Sequence, residues 1–187
     1  MMKRFFDLVL SLVALLILLI PIVLVTLAVK LTSKGPALYW SDRVGVNNVL
    51  FRMPKFRSMR TGTPAVATHL LLDPSQYLTP IGNFLRKSSL DELPQLWSII
   101  VGDMSFVGPR PALFNQADLI ELRTQQGVHL IPPGLTGWAQ VNGRDELPIP
   151  VKVDYDAYYA KNMSVLFDLK ILFLTAMKVI KRDGVSH

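Results

Sequence analysis

Hydrophobic residues are distributed very unevenly along this chain. From Phe5 to Leu31 it is almost wholly apolar, interrupted by Asp7, Ser11, Pro21, Thr26 and Lys30. At about 1.5 Å per residue, a straight helix of this length exceeds the roughly 30 Å hydrocarbon core of a bilayer. Two readings fit. One is a single transmembrane helix. The other is a helix kinked at Pro21, where a backbone hydrogen bond is lost, that enters and leaves by the same face. Lys3 and Arg4 precede the segment and Lys30 and Lys34 close it, so the positive-inside rule gives no orientation. Asp7 suits a headgroup-level position. A cleaved signal peptide fits poorly, because the apolar run is too long and no small-residue cleavage site closes it. The turn-rich Ser33–Pro36 marks the exit and divides a membrane segment, 1–34, from a second region, 35–187.

Beyond the exit the pattern is mixed. Val49–Phe56 reads as a strand at a sheet edge, since Pro54 cannot sit in a central strand. Thr61–Tyr77 reads as a loop with a short helical piece around 65–72. Ser88–Pro111 predicts a helix starting near Asp91 and ending near Gly102, followed by a Gly-Pro-Arg-Pro turn. Ala112–Gln126 predicts a surface helix, and Tyr155, Tyr158 and Tyr159 lie at helical spacing. Ser164–Ile180 is apolar but interrupted by Asp168, Lys170 and Lys178, the pattern of an amphipathic helix resting on the core or on a membrane. The fold class is mainly α with a little β.

Composition narrows the function. Half of the 187 residues are hydrophobic and 18% are charged, with a net charge of +6. Mean hydropathy is +0.34. The excess of basic residues favours a polyanionic partner: anionic lipid or a phosphorylated ligand. Nucleic acid ranks last, because the basic residues are dispersed and no helix-turn-helix or finger pattern occurs. The absence of cysteine excludes disulfides, thiolate metal sites and a cysteine nucleophile. His69, His129 and His187 are too far apart in sequence to favour a zinc cluster, and His129 reads as structural.

The chemistry centres on Asp91 and Glu92. Ser89-Leu90-Asp91-Glu92 matches a capping box, which would make the carboxylates structural. Pro94 shifts the cap toward Asp91, because proline is tolerated only in the first turn. The alternative is catalytic. Adjacent carboxylates can bind Mg²⁺, and a carboxylate can attack phosphorus. Arg86 and Arg110 would then neutralise phosphate oxygens. Lys55, Arg57 and Arg60 form a basic cluster that is either a solvated or lipid-facing surface or part of a phosphate site. Trp138 either packs in the core or stacks on a base.

SLDELPQLWSII and GDMSFVGPRP, with KFRSM upstream and PGLTGWAQVNGR downstream, closely resemble the bacterial sugar transferases known as monotopic phosphoglycosyl transferases. The resemblance runs over nearly the whole chain and implies a minimal member holding only the catalytic core. It implies transfer of a sugar-1-phosphate from a UDP-sugar to polyprenyl phosphate, with release of UMP and a covalent phospho-aspartyl intermediate. Asp91 would be the nucleophile and Mg²⁺ ligand, and Glu92 its partner. Lys55, Arg86, Pro109, Arg110, Pro111, Arg144 and Asp156 would complete the substrate site, with Arg144 contacting the nucleotide; Arg57 joins them on the phosphate-site reading of its basic cluster. The resemblance further implies a re-entrant, Pro-kinked N-terminal helix and interfacial amphipathic helices. These would surround a small cytosolic core on the cytoplasmic face of a bacterial inner membrane, working with downstream glycosyltransferases.

Three departures stand out. Ile20 precedes the proline where relatives often carry Ser. Ser41 and Asp42 replace a common glutamine. A frequent glycine between Gly45 and Phe51 is absent, with Asn47 and Asn48 in that stretch.

Overall fold

The computed structural model describes residues 2–64, 66, 73–143 and 147–181. Its longest element is α1 (Met2–Thr32), with Pro21 inside it. Among the described residues, α1 alone is long and apolar enough to cross a membrane, and 6% of its most apolar window is buried.

The buried positions of α1 explain how it attaches. Asp7, Ser11, Val25 and Val29 are buried, while Leu10, Ala14, Leu18 and Ile22 are partly buried against the rest of the chain. Their spacing of three to four residues is that of one helix face. This face packs along its length. Its first half meets a cluster containing Ile99, Met104 and Ile171. Its second half meets Ala37, Phe56 and Leu85. The opposite face, including Leu16, Ile17, Ile20 and Leu24, is exposed.

Polar contacts tie down both ends. Arg4 Nη2 donates to the Ile100 carbonyl at 2.6 Å and Nη1 to that of Ile99. Lys3 Nζ lies 2.6 Å from Asp168 Oδ2. Asp7 Oδ1 accepts from Ser105 Oγ at 3.0 Å and from the Phe106 amide at 3.1 Å. At the exit, Arg57 Nη2 donates to Ser33 O at 3.0 Å and to Ser33 Oγ at 2.8 Å, and Nη1 donates to Lys34 O.

The strands β1 (Leu38–Val44) and β2 (Leu50–Phe56) form an antiparallel pair with Leu38 opposite Phe56 and Val44 opposite Leu50. Pro54 is accommodated because this sheet has two strands, leaving β2 a free edge. Asn47 and Asn48 have φ of 54° and 60° in the connection. Asparagine is among the residues that tolerate this left-handed region.

A helix α2 (Gly82–Lys87) leads into a 3₁₀ turn, Leu90–Gln95, and then α3 (Leu96–Val101). Gly102, at φ 105°, ends α3 as the sequence predicts. Next, β3 (Ser105–Val107) pairs in parallel with β4 (Gly134–Thr136). The predicted 112–126 helix is shorter: α4 spans Ala117–Gln125. Ala112 is taken instead by the sheet edge, where its carbonyl accepts from Val44 N at 3.0 Å. The chain closes with α5 (Trp138–Val141), α6 (Ile149–Asn162) and α7 (Val165–Lys181). Asp168, an interruption in the apolar pattern of α7, is buried and accepts from Lys3 and, at 2.7 Å, from Tyr159. Trp138 packs against Tyr155 and Phe167 at ring-centroid distances of 6.3 and 5.1 Å. The helical piece expected around 65–72 lies outside the described residues apart from Val66.

Candidate active site

The local structure at the carboxylates differs from the sequence expectation. Neither Ser89 nor Asp91 caps a helix with its side chain. Ser89 adopts φ 56°, Asp91 and Glu92 lie in the 3₁₀ turn, and α3 starts only at Leu96. Pro94 has no N–H to return to the preceding turn, and the chain passes through it as a 3₁₀ turn, becoming α-helical only at Leu96. The placement of Asp91 at the positive end of a helix is therefore corrected: the turn's packing against β2 positions the pair.

Both carboxylates face a cavity of about 370 Å³. Lys55 of β2 reaches Glu92 Oε1 at 3.0 Å, and Arg110 Nη1 lies 3.5 Å from the same oxygen. Arg43, Arg60 and Arg86 also line the cavity, so its wall is strongly basic around a two-carboxylate floor. Burial pushes the Asp91 carboxyl above its ordinary range; Lys55 opposes that shift and Glu92 adds to it. Burial also lowers the Lys55 ammonium, against the pull of Glu92.

The Gly-Pro-Arg-Pro turn is held by its backbone. Gly108 N donates to Thr136 O at 2.9 Å and Gly134 N to Pro109 O at 2.8 Å. This approach leaves no room for a side chain at residue 134, where a Cβ would lie 2.1 Å from Gly108 N. Arg43 Nη1 donates to Pro111 O at 3.1 Å, and Arg123 Nη1 to Arg110 O at 2.8 Å. Arg123 also binds Asp156 Oδ2 through Nε at 3.0 Å and Nη2 at 2.6 Å, and both side chains are buried. Burial raises the Asp156 carboxyl, with Arg123 opposing.

Lys55, Arg86, Asp91, Glu92 and Arg110 thus come together around one cavity. Pro109 and Pro111 shape the turn that carries Arg110. Asp156 stands behind this turn, coupled to it through Arg123. Arg57 borders the cavity, but its Nη1 and Nη2 are engaged at the exit of α1, so its observed contacts are structural. Arg144 lies outside the described residues. Arg123, Arg43 and Ser89 were not predicted as site residues. Arg123 and Asp156 are 33 positions apart, and no local pattern links them.

Mg²⁺ favours oxygen ligands and is commonly held by one or two carboxylates plus substrate phosphates. The residues present fit that requirement: Asp91 and Glu92 bring carboxylate oxygens to the cavity, and Lys55 is already paired with Glu92. No cluster of three or more His, Cys, Asp or Glu occurs among the described residues, so phosphate and water would supply the other ligands.

Fold and site together define a membrane-associated protein with a carboxylate pair sunk in a basic cavity. The chain belongs to the bacterial sugar transferase family, whose model matches residues 1–182. An uncharacterised sugar transferase of Bacillus subtilis is 37% identical, the match covering 100% of this chain and 91% of that protein. A UDP-glucose:undecaprenyl-phosphate glucose-1-phosphate transferase of Escherichia coli is 38% identical over 95% of this chain and 40% of its own length. A UDP-N-acetylgalactosamine-undecaprenyl-phosphate N-acetylgalactosaminephosphotransferase of Aeromonas hydrophila is 35% identical over 88% of this chain and 40% of its own. The chain therefore spans about two-fifths of the length of these last two relatives.

Proposed function

We propose that the protein transfers a sugar-1-phosphate from a UDP-sugar to undecaprenyl phosphate. The observation that carries this reading is the buried Asp91, set beside Glu92 in a cavity walled by Lys55, Arg86 and Arg110. An Asp91 oxygen attacks the sugar-bearing phosphorus. The bond from that phosphorus to the bridging oxygen breaks, and UMP leaves with the electron pair. An oxygen of the lipid phosphate then attacks the phospho-aspartyl group, forming the lipid diphosphate sugar and freeing Asp91. Arg110 and Arg86 offset charge on the phosphate oxygens. Glu92 holds Lys55 and Arg110 in place. Bound Mg²⁺ would supply Lewis-acid stabilisation of the diphosphate charge.

The same reading places α1 as a re-entrant helix on the cytoplasmic side. Its support is the attachment of both ends, through Lys3 and Arg4 and through Ser33, to the region following the helix. A helix crossing the bilayer would carry Lys3 away from that region. Because the chain has no cysteine, single substitutions Met2→Cys and Ser186→Cys can be labelled from each side separately. Both should react from the cytoplasmic side; reaction from opposite sides would rule out re-entry.

The activity is tested with the full chain in detergent, a panel of UDP-sugars and undecaprenyl phosphate, reading UMP. Turnover is expected with one sugar or a few, to stop on chelation and to resume with Mg²⁺. An unchanged rate in Asp91→Asn would overturn the assignment of the nucleophile.

A further inference from the structure

In the proposed transfer the sugar stays on the protein between the two half-reactions, bonded through its phosphate to Asp91. It must therefore sit in the cavity that Asp91 lines. In-line displacement adds a constraint. UMP leaves, and the acceptor phosphate arrives, on the side of the phosphorus opposite Asp91, so the sugar lies to one side of that axis. We infer that this sugar subsite is the Tyr39 end of the Asp91 cavity, with the Tyr39 ring as its platform, and that it takes sugars carrying an acetamido group. The inference rests on the reading above and adds a substrate class to it.

The register of the β1–β2 pair selects Tyr39. It stands directly opposite Lys55, so the two side chains leave the same sheet face with Cβ atoms about 5 Å apart. Lys55 in turn reaches Glu92 Oε1 at 3.0 Å. The ring thus lies beside the stem of the lysine that contacts the carboxylate pair. The sugar is joined to the attacked phosphorus through a single oxygen, whereas the uracil is removed from it by a second phosphate and a ribose. A ring this close to the reaction centre meets the sugar first.

Tyr39 is also available. Of the two aromatic side chains in the described lining, Phe56 is packed in the core at 2% exposure, while Tyr39 is 47% exposed. Trp40 projects to the other face, with the Arg52 guanidinium 5.5 Å from its ring centre. Tyr39 offers an apolar ring face with a hydroxyl at its tip, a surface that the C–H face of a pyranose can cover.

The surroundings select the substituent. Pro36, Met59 and Pro64 give this end apolar lining suited to a methyl group. Thr63 Oγ1 donates to Arg60 O at 2.7 Å, so its lone pairs remain to accept from an amide N–H. The acidic side chains of the described lining are Asp91 and Glu92, and Glu92 is paired with Lys55 and Arg110. A free amino sugar would bring its ammonium to a cationic wall. A plain hexose would press a hydroxyl on the apolar lining, where it loses water without gaining a bond.

Titration calorimetry of the full chain in detergent tests this, in an Asp91→Asn background that blocks the chemistry. The tighter-binding of UDP-N-acetylglucosamine and UDP-N-acetylgalactosamine should bind about tenfold more tightly than its hexose counterpart and than UMP, as one aromatic contact with a buried methyl allows. Adding Tyr39→Ala should weaken that donor about tenfold and leave UMP within about twofold; Tyr39→Phe keeps the ring and should stay within about twofold for both. An equal loss for UMP would assign the ring to the base and overturn the inference. So would no loss for either ligand, or hexose donors binding as tightly as acetamido donors. Thr63→Val is a second variant should Tyr39→Ala not fold: it should weaken the acetamido donor and spare UMP, and unchanged donor binding would count against the subsite. Binding is read without turnover, so failure of the proposed function appears separately, as no UMP release from any donor by the unaltered protein.

Discussion

Arg123 offers the most exacting test of how the site is held. Its guanidinium binds Asp156 through two N–H groups and the Arg110 carbonyl through a third. In Arg123→Met the aliphatic stem is largely kept, but Asp156, 1% exposed, loses its cation. Removing one partner of a buried pair costs about 3–5 kcal/mol, which lowers Tm by about 6–20 °C in a chain of this size. The loss should depend on pH. Burial already raises the folded Asp156 carboxyl, and without Arg123, its main opposing influence, that carboxyl rises further. A carboxyl raised on folding favours the folded state most at low pH, and stability falls as pH climbs from the ordinary carboxylate value through the folded one. The variant should therefore be closer to the unaltered protein at pH 5 than at pH 8. Adding Asp156→Leu removes the orphaned charge and should restore most of the stability. It should not restore activity, because the Arg110 carbonyl still lacks its donor; kcat/KM should stay about 10–100-fold down. Denaturant melts in micelles and UMP release read the two effects separately. If the double variant recovered activity along with stability, or the single variant's loss were equal at both pH values, the proposed role of Arg123 would be wrong.

Three further outcomes are expected. Asp91→Asn should abolish UMP release yet raise Tm near neutral pH, because burial disfavours the charged carboxyl; a lower Tm would contradict that cause. Glu92→Gln should move both limbs of the pH–rate profile to lower pH, since Glu92 raises both Asp91 and Lys55; an unmoved alkaline limb would remove Lys55 from the titrating set. Gly134→Ala should destabilise by about 1–3 kcal/mol or more, because the new Cβ meets backbone that cannot move aside; a circular-dichroism melt matching the unaltered protein would refute the close approach.

Much of the architecture was legible where a local rule decides it. The apolar run produced α1, Gly102 stopped α3, and the interrupted apolar pattern from Ser164 onward produced α7. Pro54 marked β2 as an edge strand for a steric reason that needs no tertiary context. The misreadings arose where distant residues decide the outcome. The sequence around Asp91 suggested a helix start, whereas Pro94 and the approach of Lys55 gave a 3₁₀ turn. Arg57 resembled a phosphate ligand beside Lys55, yet it lies just past the end of β2, where the loop after α1 is within its reach. The Arg123–Asp156 pair and its grip on Arg110 depend on the approach of α4 and α6, which no short spacing encodes.

The Lys3–Asp168 contact joins positions 165 residues apart, and Arg4 and Asp7 find their partners 95 to 99 residues downstream. During synthesis α1 precedes all of these partners, so Arg4 and Asp7 stay unmatched until Ile99 to Phe106 have followed, and Lys3 until Asp168 has. Long-range closure of this kind slows folding. The N-terminal end of α1 is therefore fully docked only once Asp168 has been made, and an interrupted chain ending before α7 would hold α1 without Asp168 to secure Lys3.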